Sequence, residues 1–305
     1  MLVLIRLTAM SFREFNWIKS LPNESASHLA CGIGDDAAVI QGLDSLAIST
    51  DSLVENSHFL AGDDPYLIGK KCVNVNLSDM AAMGCQPLFF LFNLHMTSQF
   101  EGEKLEALKK GLLDALGAYS VALIGGDTVK SSGNLLNLVG TVLGKPFLEK
   151  PIYRSGAKAN EYICVTGPLG GSFPKRHLDF EPRVAFSREI CNRVKPSSMM
   201  DISDGLFQDL NHIAVASQVG VRLLKSRIPI HEDLMNEPDA LMRACADGED
   251  FELLFTVPKD SLESLRQIPK CMIIGETTLN KKERLWSYDE DNWENFPIKG
   301  FEHGV

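Results

Sequence analysis

The sequence predicts an α/β (α+β) protein of two domains, each a mixed sheet packed with helices. Three observations carry that expectation. Apolar runs of strand length alternate with longer segments of helical period, a charged stretch rich in proline and glycine divides the chain near its middle, and the composition is that of a globular protein that folds in water. At 305 residues the chain is long for one core, which favours two domains. Its 45% hydrophobic and 23% charged residues argue against disordered, collagenous and membrane classes. No run approaches the roughly 20 apolar residues that span a bilayer.

Residues 11–21 read as a first amphipathic helix, and 37–40 and 46–50 as strands. Residues 65–83 read as a helix, with Met80 and Met83 on one face, and 87–95 as the strand that follows. The clearest amphipathic helix is 104–116, where Leu105, Leu108, Leu112, Leu113 and Leu116 recur at helical spacing. Strands are expected at 122–124 and 135–143. The segment GKPFLEKPIYRSGAK, 144–158, has the composition of a linker or crossover, and the domains are expected to be 1–148 and 149–305. The second half restarts with a strand at 162–166, a turn GPLGGS, a helix over 182–193 and a strand reaching Ile202. A helix over 206–219 and strands at 221–224, 252–257 and 271–274 complete the pattern.

A formal net charge of -10, from 30 basic and 40 acidic residues, repels nucleic-acid phosphates, so no nucleic acid is expected as partner. The seven cysteines contain no CxxC pair and sit mostly in apolar segments, as reduced thiols do. The opening MLVLIRLTAM lacks the charged region and cleavage site of a signal peptide, which makes the cytoplasm the expected location and a membrane an unexpected partner.

The informative residues are acids. Asp35, Asp36, Asp51, Asp79, Asp127, Asp201 and Asp204 fall at expected strand ends or beside glycines, and Glu249 and Asp250 stand in GEDFELLF. A single such Asp is a turn residue or a helix cap. Strand ends of α/β folds converge on one cleft, however, and carboxylates gathered there repel unless cations neutralise them. Mg2+ suits such a set, because it is a hard cation held by carboxylates together with substrate phosphates; several carboxylates imply several ions. Calcium loops and zinc patterns are absent, as are a Walker A loop, a GxGxxG turn and a GxSxG elbow. Glycines beside the acids would let backbone N–H groups approach phosphate oxygens. The residues by themselves therefore point to metal-bridged phosphate chemistry.

The ordered set GIGDDAAVI, STDSLVENSHF, NLSDMAAMG, LIGGDT, YRSGAK, VTGPLGGS, DISDGL and GEDFELLF resembles the thiamine-monophosphate kinase family of the aminoimidazole ribonucleotide synthetase superfamily, and the resemblance covers about residues 11–302. The resemblance implies the two-domain architecture of that superfamily, a homodimer, several Mg2+ ions, and ATP-dependent phosphorylation of thiamine monophosphate. It places metal ligands on Asp36, Ser49, Thr50, Asp51, Asp79, Asp127, Asp201 and Asp204, with catalytic weight on Asp51, Asp127 and Asp204. It implies ATP contacts at Tyr119, Gly126, Asp127, Arg154 and Ser203, and substrate contacts at His58, Glu249 and Phe301. The chain departs from the family in its ending, GFEHGV, and in a compact GGSFPKRH segment.

Phosphoryl transfer needs alignment and charge neutralisation more than covalent help. An acceptor phosphate monoester, with a second pKa of about 6, is already ionised at neutral pH and needs no dedicated base. Two alternatives stand beside this reading: another enzyme of the superfamily, such as a selenophosphate synthetase using Cys31, and a nucleotide- and Mg2+-binding sensor without catalysis.

Overall fold

The computed structural model describes residues 27–31, 39–42, 45–97, 100–130, 133–174, 176–298 and 300. The expected helix at 11–21, the first half of the expected strand at 37–40, and Asp35, Asp36 and Phe301 lie outside these residues. A short antiparallel ribbon joins β1 (Leu29–Cys31) and β2 (Val39–Ile40).

Strands β3 (Ala47–Val54), β4 (Cys85–Met96), β5 (Ala122–Lys130) and β6 (Asn137–Pro146) form a sheet in the order β3-β6-β4-β5, antiparallel except between β4 and β5. The second sheet uses β7 (Glu161–Val165), β8 (Ser198–Asp201), β9 (Gly220–Leu224), β10 (Leu253–Pro258), β11 (Met272–Thr278), β12 (Arg284–Ser287) and β13 (Glu294–Asn295). Its order is β13-β12-β9-β11-β7-β10-β8, and β9 with β12 is its parallel pair.

Two differences from the sequence reading have physical causes. Strand β5 runs past Ile124 to Lys130, because Gly125 and Gly126 serve close strand pairing rather than a turn. A Cβ on Gly126, at φ 154, would lie 1.9 Å from the Phe92 carbonyl oxygen. The short elements β12 and β13, with two short helices at Ala240–Ala246 and Leu262–Leu265, contain too few residues to display a period.

The main helices are α1 (Pro65–Ala82), α2 (Glu103–Ala118), α3 (Val184–Arg193) and α4 (Leu206–Ser217). Helix α1 begins where the Asp64 side chain accepts from the Tyr66 N–H at 2.9 Å and Pro65 presets the first turn. It is buried almost all round, which explains its lack of an amphipathic stripe. Its neighbours include β3 and β6 on one side and α3 and β8 on the other, so a continuous core runs from Leu53 through Leu77 to Phe255 across both halves of the chain. Helix α2 crosses α1 at backbone contact: a Cβ on Gly111 would meet the Tyr66 carbonyl oxygen at 1.9 Å, and one on Gly69 the Leu108 oxygen at 2.1 Å.

Candidate active site

Acids from both halves of the chain meet beside α1. Along β3 the side chains alternate, so Ser49 and Asp51 face the helix while Thr50 faces away. The Ser49 hydroxyl donates to Asp79 Oδ2, and Asp51 and Asp79 share a hydrogen bond. One residue earlier on α1, the Ser78 hydroxyl donates to Asp201 Oδ2 at 2.5 Å, reaching the end of β8. Burial and the charges of Asp79 and Asp201 push the Asp51 carboxyl up to about 7. Burial, then Asp79, raises Asp201 in the same direction, and burial raises Asp79 despite the Ser49 hydrogen bond. Among the described residues, none of these carboxylates forms an ion pair.

The loop after β8 carries Ser203 and Asp204. Its shape is imposed by Asp209 of α4, whose Oδ2 accepts the backbone N–H groups of Ser203, Asp204 and Gly205 at 3.1 Å each. The loop is also laced to GEDFE: the Glu249 N–H donates to the Ser203 oxygen at 2.7 Å, and the Phe251 N–H to that of Ile202 at 2.8 Å. Glu249 itself stands at φ 56, a left-handed conformation that few residues with a side chain adopt.

A cavity of about 510 Å³ opens over this junction. Asp51, Asp79, Asp201 and Asp204 line its acidic end, with Ser203 beside them. His58, Phe173, His177, Glu249 and Phe251 line the other end. Beneath that end lies Lys71, fully buried, with its three protons all used. Its Nζ donates to the His58 carbonyl oxygen at 2.8 Å, to His177 Nδ1 at 3.0 Å and to Glu249 Oε2 at 2.8 Å. Burial opposes charge on Glu249, yet the contacts from His177 and Lys71 hold its carboxyl below the usual range. Burial likewise pulls the Lys71 ammonium down, against the raising effect of Glu249.

The cavity thus gathers Asp51, Asp79, Asp201, Ser203, Asp204, His58 and Glu249 from the expected set, with Ser49 hydrogen-bonded at its acidic end. Other expected residues stand apart. Thr50 lies on the outer face of β3, bonded to the Gly140 oxygen at 2.8 Å and to the Thr141 hydroxyl at 2.9 Å. Gly126 and Asp127 are on β5, and Asp127 Oδ1 accepts the Thr128 N–H at 2.8 Å. Tyr119 ends α2 and lines a separate cavity with Tyr66 and Lys70; burial pushes its hydroxyl up to about 12. Arg154 is exposed, though its charge draws Asp79 and Asp201 downward.

Sequence reasoning missed Lys71, Phe173, His177 and Asp209. A signal existed for Lys71, a lone charge among Ile68, Cys72 and Val75 at helical spacing. Nothing in the sequence marks Asp209, whose role is visible only once the loop folds back over it.

The fold has known counterparts. Residues 34–145 match the family model described as AIR synthase related protein, N-terminal domain, and residues 129–287 match its C-terminal domain. A thiamine-monophosphate kinase of Bacillus subtilis (strain 168) is 36% identical over 283 residues, covering 83% of this chain and 86% of that protein. One from Escherichia coli (strain K12) is 37% identical over 273 residues, covering 81% of each. Among solved structures, AaThiL complexed with AMPPCP and TMP superposes with a TM-score of 0.77 at 28% identity, covering 89% of this chain and 92% of that one. With this coverage across both halves, the chain belongs to the thiamine-monophosphate kinase family.

Proposed function

We propose that this chain transfers the γ-phosphoryl group of ATP to the phosphate of thiamine monophosphate, giving thiamine diphosphate and ADP. The observation that carries the reading is the two-ended cavity: clustered carboxylates at one end, and a fixed carboxylate with aromatic side chains at the other. The names of the relatives and the ligands of the similar structure support it. In the reaction an acceptor phosphate oxygen forms the new P–O bond, and the bond from the γ-phosphorus to the β,γ-bridging oxygen breaks. Its electron pair leaves on ADP. With the acceptor already ionised, the protein must bind and align two polyanions rather than remove a proton.

Asp51, Asp79, Asp201 and Asp204 fit Mg2+ as oxygen donors, and burial first, then neighbouring carboxylates, raises Asp51 and Asp201, while burial raises Asp79. When bound, Mg2+ would supply neutralisation of the phosphate charges. Ser203 would contact the nucleotide from the loop held by Asp209, and Glu249 and His58 would contact the acceptor. On this reading residues 1–148 supply Asp51 and Asp79 of the acidic end, and 149–305 supply Asp201 and Asp204 and complete the site. The free thiols of the described cysteines suit a cytoplasmic enzyme.

The homodimer is proposed on the outer face of the four-stranded sheet, where Ile48 is 63% and Val129 44% exposed. On that face Asp127 lies three strand spacings from Ser52, about 14 Å. A second copy packed there is the arrangement that would bring Thr50, Gly126 and Asp127 against a nucleotide site. Sedimentation at twice the mass of the chain is expected; a monomer at micromolar concentration would remove this proposal.

ADP release from ATP and Mg2+ tests the activity, with thiamine monophosphate, thiamine, selenide or no acceptor. Release is expected with thiamine monophosphate alone. Selenide-dependent release would replace the reading with selenophosphate synthesis, and nucleotide binding without any turnover would replace it with a sensor.

A further inference from the structure

Phe173 leaves 60% of its surface exposed, although it stands on a loop that is tightly held. Asp250 Oδ1 accepts the Gly170 N–H and the Ser172 hydroxyl, both at 2.8 Å. Arg176 Nη2 donates to the Gly170 oxygen at 2.5 Å, and the His177 N–H to the Ser172 oxygen at 2.9 Å. Gly170 and Gly171, at φ 82 and 71, allow the tight path this requires. The loop is therefore prearranged, and what it presents to the cavity is a phenyl ring.

The ring does not stand alone. Its centroid is 5.0 Å from that of His177, at an interplanar angle of 38°. His177 Nε2 lies 3.0 Å from the Pro174 oxygen, and Nδ1 lies 3.0 Å from Lys71 Nζ and 3.1 Å from Glu249 Oε2. Lys71 and His177 thus both hold Glu249 at Oε2. Among the described residues, Glu249 Oε1 accepts no hydrogen bond, and the side chain is 29% exposed on the cavity wall. A hydrophobic ring face and a directed, ionised acceptor thus stand side by side. Their complement is a flat heteroaromatic ring bearing an amino group.

We propose that Phe173 is a specificity-determining residue of the acceptor site: it stacks on the acceptor's heteroaromatic ring while Glu249 Oε1 accepts from that ring's amino group. The inference rests on the proposed kinase activity and extends it to the organic half of the acceptor. It requires no covalent step by either side chain.

Steady-state kinetics of Phe173→Ala and Phe173→Trp against the unaltered chain test it, with each substrate varied in turn and the melting temperature measured alongside. Phe173→Ala is expected to raise KM for thiamine monophosphate about tenfold, the usual loss when an aromatic platform under a ring is removed. KM for ATP and the melting temperature should stay unchanged, and Phe173→Trp should keep KM for thiamine monophosphate within about threefold of the unaltered chain. An unchanged KM for thiamine monophosphate in Phe173→Ala, or an equal rise in KM for ATP, would overturn the assignment while leaving the kinase reading intact. Absence of thiamine diphosphate from the unaltered chain would instead overturn the kinase reading, and this inference with it.

Discussion

Asp51→Asn is expected to cut turnover at least about a hundredfold, because it removes one charge from the site where phosphate charge must be balanced. The same change should not unfold the protein. In the folded chain the Asp51 carboxyl is raised from 3.8 to about 7, so between those values the folded form holds protons that the unfolded form has released. Stability contributed by this group is therefore present below about pH 4 and is lost as pH rises through about 7. An uncharged amide removes that repulsion and keeps a donor for Asp79. At pH 8 without Mg2+, the variant is expected to melt no lower than the unaltered chain. Mg2+ should raise the melting temperature of the unaltered chain more at pH 8 than at pH 6, where protons compete for the oxygens, and should raise that of Asp51→Asn less. Comparable turnover with an undiminished Mg2+ response in the variant would exclude Asp51 from the site.

Lys71→Met is expected to have the second large effect, on stability and on the acceptor together. Methionine fills much of the same volume, so the loss is electrostatic rather than a cavity. It strips the donor from the His58 oxygen, His177 Nδ1 and Glu249 Oε2, leaving a carboxylate in a largely buried position. Removing one partner of such a buried pair costs about 2–3 kcal/mol once the partial exposure of Glu249 is allowed for. The double variant Lys71→Met/Glu249→Gln should be more stable than the sum of the single losses implies, since the carboxylate that suffers is gone. Urea midpoints of the three variants check this, and strict additivity would show that the pair is not coupled. KM for thiamine monophosphate should rise in the single variant as Glu249 loses its fixed orientation.

Much of the fold was legible because its elements are long and their periods clean. Helix α2 shows its leucines at helical spacing, and α1 was bounded correctly at Pro65. The acidic end of the site was legible too, since Asp51, Asp79, Asp201 and Asp204 fall in the quoted motifs, although Asp51 lies within β3 and Asp79 near the end of α1. The opposite end was hidden for a reason of distance. Lys71, His177 and Glu249 are far apart in sequence, and only packing of α1 against the second half brings them within hydrogen-bonding reach. Gly126 fell beyond the expected strand 122–124, yet it continues β5, where the backbone of β4 takes the space of a side chain. Thr50 and Asp127 occupy the sheet's outer face, where a single chain offers them no place in the cavity.

Helix α1 has a consequence for what the enzyme accepts. Lys71, Val75 and Asp79 succeed one another along one line of the helix, so both ends of the cavity are mounted on a single rod. Eight residues of rise set those mounts about 12 Å apart. Such a rod works as a ruler: a molecule too short to touch both marks can be gripped by its ring or by its phosphate, but not aligned by the two at once.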